Sequence, residues 1–282
     1  MLDSMKSSFR RVAWISRITF LEAIRQRFFA FLIVLSAALV ISSVSFRFMD
    51  FGHGELKFVA DFGFGGIFFF GSILALVMTA QMFFAEIENR TALTLLAKPV
   101  GRFEFLVGKF AGVWAVLGVF IFTLCTLLGL VLWGRHQELV RIAEASGRVP
   151  PDLSVGGIFA YTLLQWLRLG VIAAMVLAVS SVARSFLFAV VVGAMTVLAG
   201  QLQWIAQEAL LRDKELSVLH QAFLWLITRL IPNLQQFNIG DALTLDVTSV
   251  QVGAIGAASL SGGIYIIILL CIAGLAFRRR EI

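Results

Sequence analysis

Apolar residues in this chain come in long blocks rather than in alternation or at every third or fourth position. Six blocks stand out, at about 28–48, 64–85, 110–133, 160–182, 186–205 and 255–277. Each is near the ~20 residues a helix needs to cross the hydrocarbon of a bilayer. Short polar segments separate them, with one longer stretch at 206–254. In lipid the backbone must satisfy its own hydrogen bonds, so apolar runs of this length are expected to be helices. The pattern predicts an all-α polytopic membrane protein with six transmembrane helices, folded as one domain over 1–282. No stretch is left for a second globular domain. The first block is longer than the ~7–15 apolar residues of a signal peptide, and a long basic segment precedes it, so it reads as an uncleaved first helix.

Finer patterns lie between the blocks. The segment SSFRRVAWISRITFLEAIRQRFF, at 7–29, is basic and aromatic. Its amphipathicity is imperfect, because Trp14, Ile15 and Ile18 fall on or beside the face shared by Arg11, Glu22 and Arg25. The preferred reading is an interfacial helix held by anionic lipid and by a partner; the alternative is a charged tail that only sets topology. In 216–231, Leu216, Leu219, Phe223, Leu226 and Leu230 form a helical stripe that Pro232 ends. It is too short and polar to span, and reads as an amphipathic helix lying at the outer surface or dipping into it. The outer loop 134–154 reads as a short surface helix stopped by Pro150 and Pro151.

Composition supports the membrane reading: 60% of the residues are hydrophobic and 14% charged, against roughly 45–50% and 25% in soluble domains. The net charge of +6 points to orientation, not to nucleic acid. With the N-terminus inside, segments 1–27, 86–109, 183–185 and 278–282 hold most of the basic residues, including Arg10, Arg11, Arg17 and Arg278–Arg280. That bias follows the positive-inside rule and puts both termini in the cytoplasm. Two inside termini require an even number of spans. Cys125 and Cys271 both fall in apolar blocks and give neither a disulfide framework nor metal-ligand spacing. His53, His136 and His220 are scattered.

Charge returns between the second and third blocks, in FFAEIENRTALTLLAKPVGRFEFLVGKFAG, from Phe83 to Gly112. Glu86 and Arg90 have the favourable order for an ion pair one helical turn apart, and Ala92, Leu93, Leu95 and Leu96 make the other side apolar. Pro99 breaks that helix and pushes Lys98 out of the α region. Gly101 can then cap a new helix with Glu104 at its third position, half of a capping box. The spacing predicts a short helix along the membrane face, a sharp turn, and entry into the third span. A solvated loop with incidental charges is the plainer alternative. Gly108–Lys109 is not a phosphate loop: six residues, not four, separate Gly101 from Gly108, and Phe110 stands where Ser or Thr is required. Gly108 and Gly112 form a G-x-x-x-G suited to close helix packing.

The stretch EIENRTALTLLAKPVGRFEFLVGKF resembles the signature of the ABC-2 type transporter permeases. That signature runs acidic residue, Thr, a Leu-rich turn, Pro, a hydroxyl residue, Arg, then Gly–Lys at the third span. Glu88, Thr91, Leu95, Leu96, Pro99, Arg102, Gly108 and Lys109 match it; Arg90 replaces a frequent Gly, and Gly101 replaces the hydroxyl residue. The resemblance implies a type V ABC exporter-like fold, with 7–29 as its interfacial elbow helix. It implies that 86–109, with Glu86 and Arg90 among its residues, is a cytoplasmic coupling helix docked on a separate nucleotide-binding subunit. ATP and Mg would sit on that partner, and this chain would supply no cofactor site and no catalytic residue. A second permease copy or a sister permease, and a bacterial inner membrane, are implied likewise.

Two features lie inside spans. Arg168, with Gln165 one turn away, sits in the fourth block, where an arginine costs at least ~2.5–3.5 kcal/mol on insertion scales. It is either a pathway or interhelix residue, or it snorkels to the outer interface from a span that starts later. The second block opens DFGFGGIFFFGS, whose glycines suit close packing; a substrate path lined by Phe68–Phe70 is the alternative. Asp61 there reads as solvated. A stand-alone secondary carrier is the rival class, and an intramembrane enzyme a third. The carrier calls for internal repeats and mid-membrane ionisable groups, of which only Arg168 is a candidate. The enzyme calls for paired carboxylates, a Ser/His pair or a metal cluster, and none is visible.

Overall fold

The computed structural model describes residues 2–43, 45, 55–88, 101–146, 153–212, 222, 224–226, 228, 229, 231–238 and 252–278. The side chains of 2–7, 55, 86–88, 146, 211, 212 and 252 are not among them. In chain order the helices are α1 (Leu2–Ile24), α2 (Arg27–Ser42), α3 (Glu55–Glu88), α4 (Arg102–Ser146), α5 (Val155–Val182), α6 (Phe186–Arg212) and α7 (Val252–Arg278). A short 3-10 turn, Leu234–Phe237, lies between the last two. Of the described residues 94% are helical and none is in a strand. Among them, α3 to α7 are each long and apolar enough to cross a membrane. A sixth span is present when α1 and α2, bent by 63° at their junction, count as one broken unit.

The bend falls at Arg25–Gln26, where the basic segment meets the first apolar block. Gln26 is extended (φ −69°, ψ 136°), and its carbonyl receives the amides of Phe29 and Ala30 that open α2. The expected interfacial segment and first span are thus separate helices at an angle. The segment after the third apolar block differs from expectation. Residues 134–146 are not a separate surface helix but the end of α4, which runs 45 residues without a break, or about 68 Å at 1.5 Å per residue. No proline falls within 134–146, and Arg135 bonds to Glu138 along the same helix, so nothing stops α4 where its apolar block ends. It therefore projects well beyond the ~30 Å of a bilayer core.

The centre of the bundle is α5, whose run Leu169–Leu177 is wholly buried. In their membrane-length windows 72% of α5 is buried against 22% of α6 and 33% of α7, so α5 is the core helix and the last two are peripheral. Opposite it, α4 presents Val113, Val116, Leu117, Phe120, Ile121, Leu124 and Leu128, one face at helical spacing. Two tryptophans lock these helices. Trp114 Nε1 donates to the Trp166 carbonyl at 3.1 Å and Trp166 Nε1 donates to the Trp114 carbonyl at 2.9 Å. Their rings stack at 4.7 Å. Gly118 and Gly170 make room: a Cβ on Gly170 would stand 2.6 Å from Trp114 Nε1. The glycines of α3 divide by role. Gly63, Gly66 and Gly71 face Leu128, Leu39 and Leu169, whereas a Cβ on Gly65 would meet open space.

Candidate functional site

Two places gather the candidate residues. The first is the joint at the start of α4. Gly101 precedes the helix, its carbonyl accepting from the Phe105 amide at 3.0 Å. Glu104 reaches back to the Gly101 amide at 3.2 Å, the half capping box that the sequence indicates. The same carboxylate also takes a two-pronged bond from Arg11 of α1, Nε to Oε2 and Nη2 to Oε1, both at 2.8 Å. Arg11 further donates to Ser8 Oγ at 2.9 Å. This helix start lies two turns before the apolar block 110–133. There the Arg11 guanidinium holds the Glu104 carboxyl down at about 2, with the Ser8 and Gly101 donors adding to the effect.

Two residues before Glu104, Arg102 Nη1 donates to the carbonyl oxygens of Arg278 at 3.0 Å and Phe277 at 3.4 Å. These are the last carbonyls of α7, a helix end whose unpaired acceptors and dipole favour a cation. The first turn of α4 thus holds both α1 and the end of α7. Below it, Gly108 and Gly112 form the groove that receives α1. A Cβ on Gly108 would lie 2.8 Å from Ile15, and one on Gly112 would lie 2.7 Å from the Ser16 carbonyl oxygen. Lys109, between them in sequence, is buried. Of the other expected coupling residues, Glu86 and Glu88 belong to the last turn of α3 without described side chains. Arg90, Thr91, Leu95, Leu96 and Pro99 lie outside the described residues.

The second place is a cavity of about 1030 Å³ near the opposite end of the bundle. α3 lines it from Asp61 to Leu76, α6 from Ala194 to Gln201, α5 through Tyr161 and Arg168, and the 3-10 turn through Gln235 and Asn238. The turn is anchored by the fully buried Leu234 and Phe237. Tyr161 donates to Asn238 Oδ1 at 3.3 Å, and Gln165 Nε2 to the Phe237 carbonyl at 3.4 Å. Arg168 is 3% exposed, so it faces inward rather than snorkelling. Its Nη2 donates to Gln201 Oε1 at 2.9 Å and its Nη1 to Gln165 Oε1 at a long 3.4 Å. Its guanidinium lies 3.6 Å from the centre of the Phe68 ring. Its Nε is buried with no partner.

The geometry brings Arg168, Gln165 and Phe68 together. It places Asp61, exposed, on the rim, and Phe70 outside the lining. Gln201 is a cavity residue that the sequence reading overlooked. Its signal was available in GQLQW, an amide pair at the end of an apolar run in α6. The Arg11–Glu104 pair and the interlocked tryptophans left no local signal, because the partners are 93 and 52 residues apart.

A family model described as ABC-2 family transporter protein matches residues 9–282. No match is found among curated proteins. The matched region begins within α1, covers the α3–α4 segment and continues past the end of α7, and α3 to α7 within it are of membrane length. On that match the chain belongs to the ABC-2 family of transporter proteins.

Proposed function

We propose that this chain is the membrane-spanning permease subunit of an ATP-driven exporter, powered by a separate nucleotide-binding subunit that docks on residues 86–109. The family match supports a permease role, and the joint at the start of α4 carries the rest. A partner seated on the α3–α4 segment would push on a turn followed by two charged side chains, Arg102 and Glu104, that hold the end of α7 and the elbow helix α1. Motion at the docking site would then reach three helices at once. In this reading Glu86, Glu88, Arg90, Thr91, Leu95, Leu96 and Pro99 form the docking ridge, while Arg102, Gly108 and Lys109 transmit from it. ATP and Mg belong to the partner. A second permease, identical or sister, completes the transporter, and both termini face the cytoplasm of a bacterial inner membrane.

The test is co-purification in mild detergent. Wild-type chain should bring down a Walker-type ATPase with measurable ATPase activity. Glu88→Ala/Leu95→Asp should release it while the permease stays folded, since neither change touches the Arg11–Glu104 or Arg102–α7 contacts. Intact wild-type chain that carries no ATPase, and that transports without ATP, would instead favour the secondary carrier.

A further inference from the structure

We propose that the Arg168 cavity binds an anionic amphiphile, with a phosphate or carboxylate head group on the guanidinium and an alkyl chain along α3 and α6. The assignment of that ligand as transported cargo rests on the permease reading; the binding site itself does not.

A buried arginine is stable when paired or hydrogen-bonded. Arg168 is 3% exposed, yet both of its hydrogen-bond acceptors are neutral glutamine amides, one of them at 3.4 Å. Its Nε has no partner. Stacking on Phe68 holds the plane of the guanidinium without neutralising it. The side chain is therefore positioned by its neighbours, with a donor and a full charge left over. Arginine's flat fork suits carboxylate and phosphate oxygens. Among the described lining residues the carboxylate is Asp61, which precedes Phe68 by seven positions on α3, about 10 Å along the axis. It sits at the rim, away from the guanidinium.

Much of the remaining wall is apolar, from Phe64, Phe69, Ile73, Leu76, Val197 and Leu198, with polar groups added by Ser72, Tyr161, Gln235 and Asn238. Phe69 and Leu198 are 59% and 55% exposed, so the mouth opens along the side of the bundle, on helices that would face lipid or a second permease. A free inorganic anion would gain nothing from these walls, and an amphiphilic cation would be repelled at the far end. The volume of about 1030 Å³ stands at the top of the ~300–1,000 Å³ typical of ligand pockets.

The experiment uses the full chain in phosphatidylcholine nanodiscs and measures equilibrium binding of radiolabelled dodecyl phosphate. Unlabelled dodecyl phosphate, dodecyltrimethylammonium and inorganic phosphate serve as competitors. Saturable binding is expected, displaced by dodecyl phosphate alone. R168Q should weaken it by at least about tenfold, R168K should keep part of it, and A194W, which fills the cavity, should abolish it. Equal competition by the ammonium amphiphile, or unchanged binding in R168Q, overturns the site. Competition by inorganic phosphate at the same concentration overturns the amphiphile in favour of a free anion. The head-group comparison in wild type decides the matter even if R168Q does not fold. Absence of an ATPase from the co-purification removes the cargo assignment and leaves the binding result standing, so the two failures are distinguishable.

Discussion

Glu104 does two things with one carboxylate: it caps α4 by accepting from the Gly101 amide, and it anchors α1 through Arg11. Its folded pKa of about 2 lies below the ordinary ~4.3 of a glutamate. The stabilisation it supplies is therefore complete above the ordinary value and is lost as pH falls towards 2. Replacing it with glutamine should lower the melting temperature slightly at pH 7, since the pair is one-fifth to one-third exposed and such pairs are screened. The gap between Glu104→Gln and wild type should close as the pH is brought from 4 to 2, in thermal unfolding by circular dichroism. A gap that stays constant over that range would mean the carboxylate charge contributes nothing. Half of this residue was readable: Gly101 with Glu104 three positions on is a local pattern. Arg11 was not, because a bond spanning 93 residues depends on where α1 lands.

At the scale of elements, close approach decides the packing of α1 on α4. Gly112 allows the Ser16 carbonyl and Thr19 to come within reach of its Cα, and a methyl group there would stand 2.7 Å from that oxygen. Backbone cannot give way as a flexible side chain can. Gly112→Ala should therefore destabilise the fold by about 1–3 kcal/mol. Gly134→Ala, on the same helix with nothing within 4 Å of its Cβ position, should stabilise it by about 0.5–1 kcal/mol. Denaturation in matched detergent reads both, and equal effects would show that helix propensity, not the groove, governs the site. The G-x-x-x-G predicted close packing from sequence, but not its partner. The glycines of α3 make the same point: the sequence marked four as packing residues, and the fold uses three for contact while Gly65 lines the cavity.

For the whole molecule, counting the broken α1–α2 unit as one span gives six among the described residues, and with an even count the basic bias predicts both termini on the cytoplasmic side. In a Cys125→Ala/Cys271→Ala background, cysteines introduced at Ser8 and Arg280 should react with an impermeant maleimide only in inverted vesicles. One introduced at Ser146 should react only in intact cells. Labelling of Ser8 and Arg280 positions from opposite sides would make the span number odd and move the docking segment's assignment with it.

The membrane-length helices and the family resemblance were legible in the order of residues alone, whereas the run of α4 through 134–146 was not. The first two depend on hydrophobic runs, breakers and short motifs, which are local properties that lipid as a solvent makes strict. Packing between helices turns Arg168 inward to Gln201 rather than towards an interface. It alone decided that Trp114 and Trp166 exchange hydrogen bonds, and that Arg102 and Glu104 tie two distant helices to one turn. In an apolar bundle nearly every face is hydrophobic, so periodicity carries little information about which face meets which. Pairing is settled by a few polar groups and small residues, whose partners lie tens of positions away and are fixed only when the helices pack.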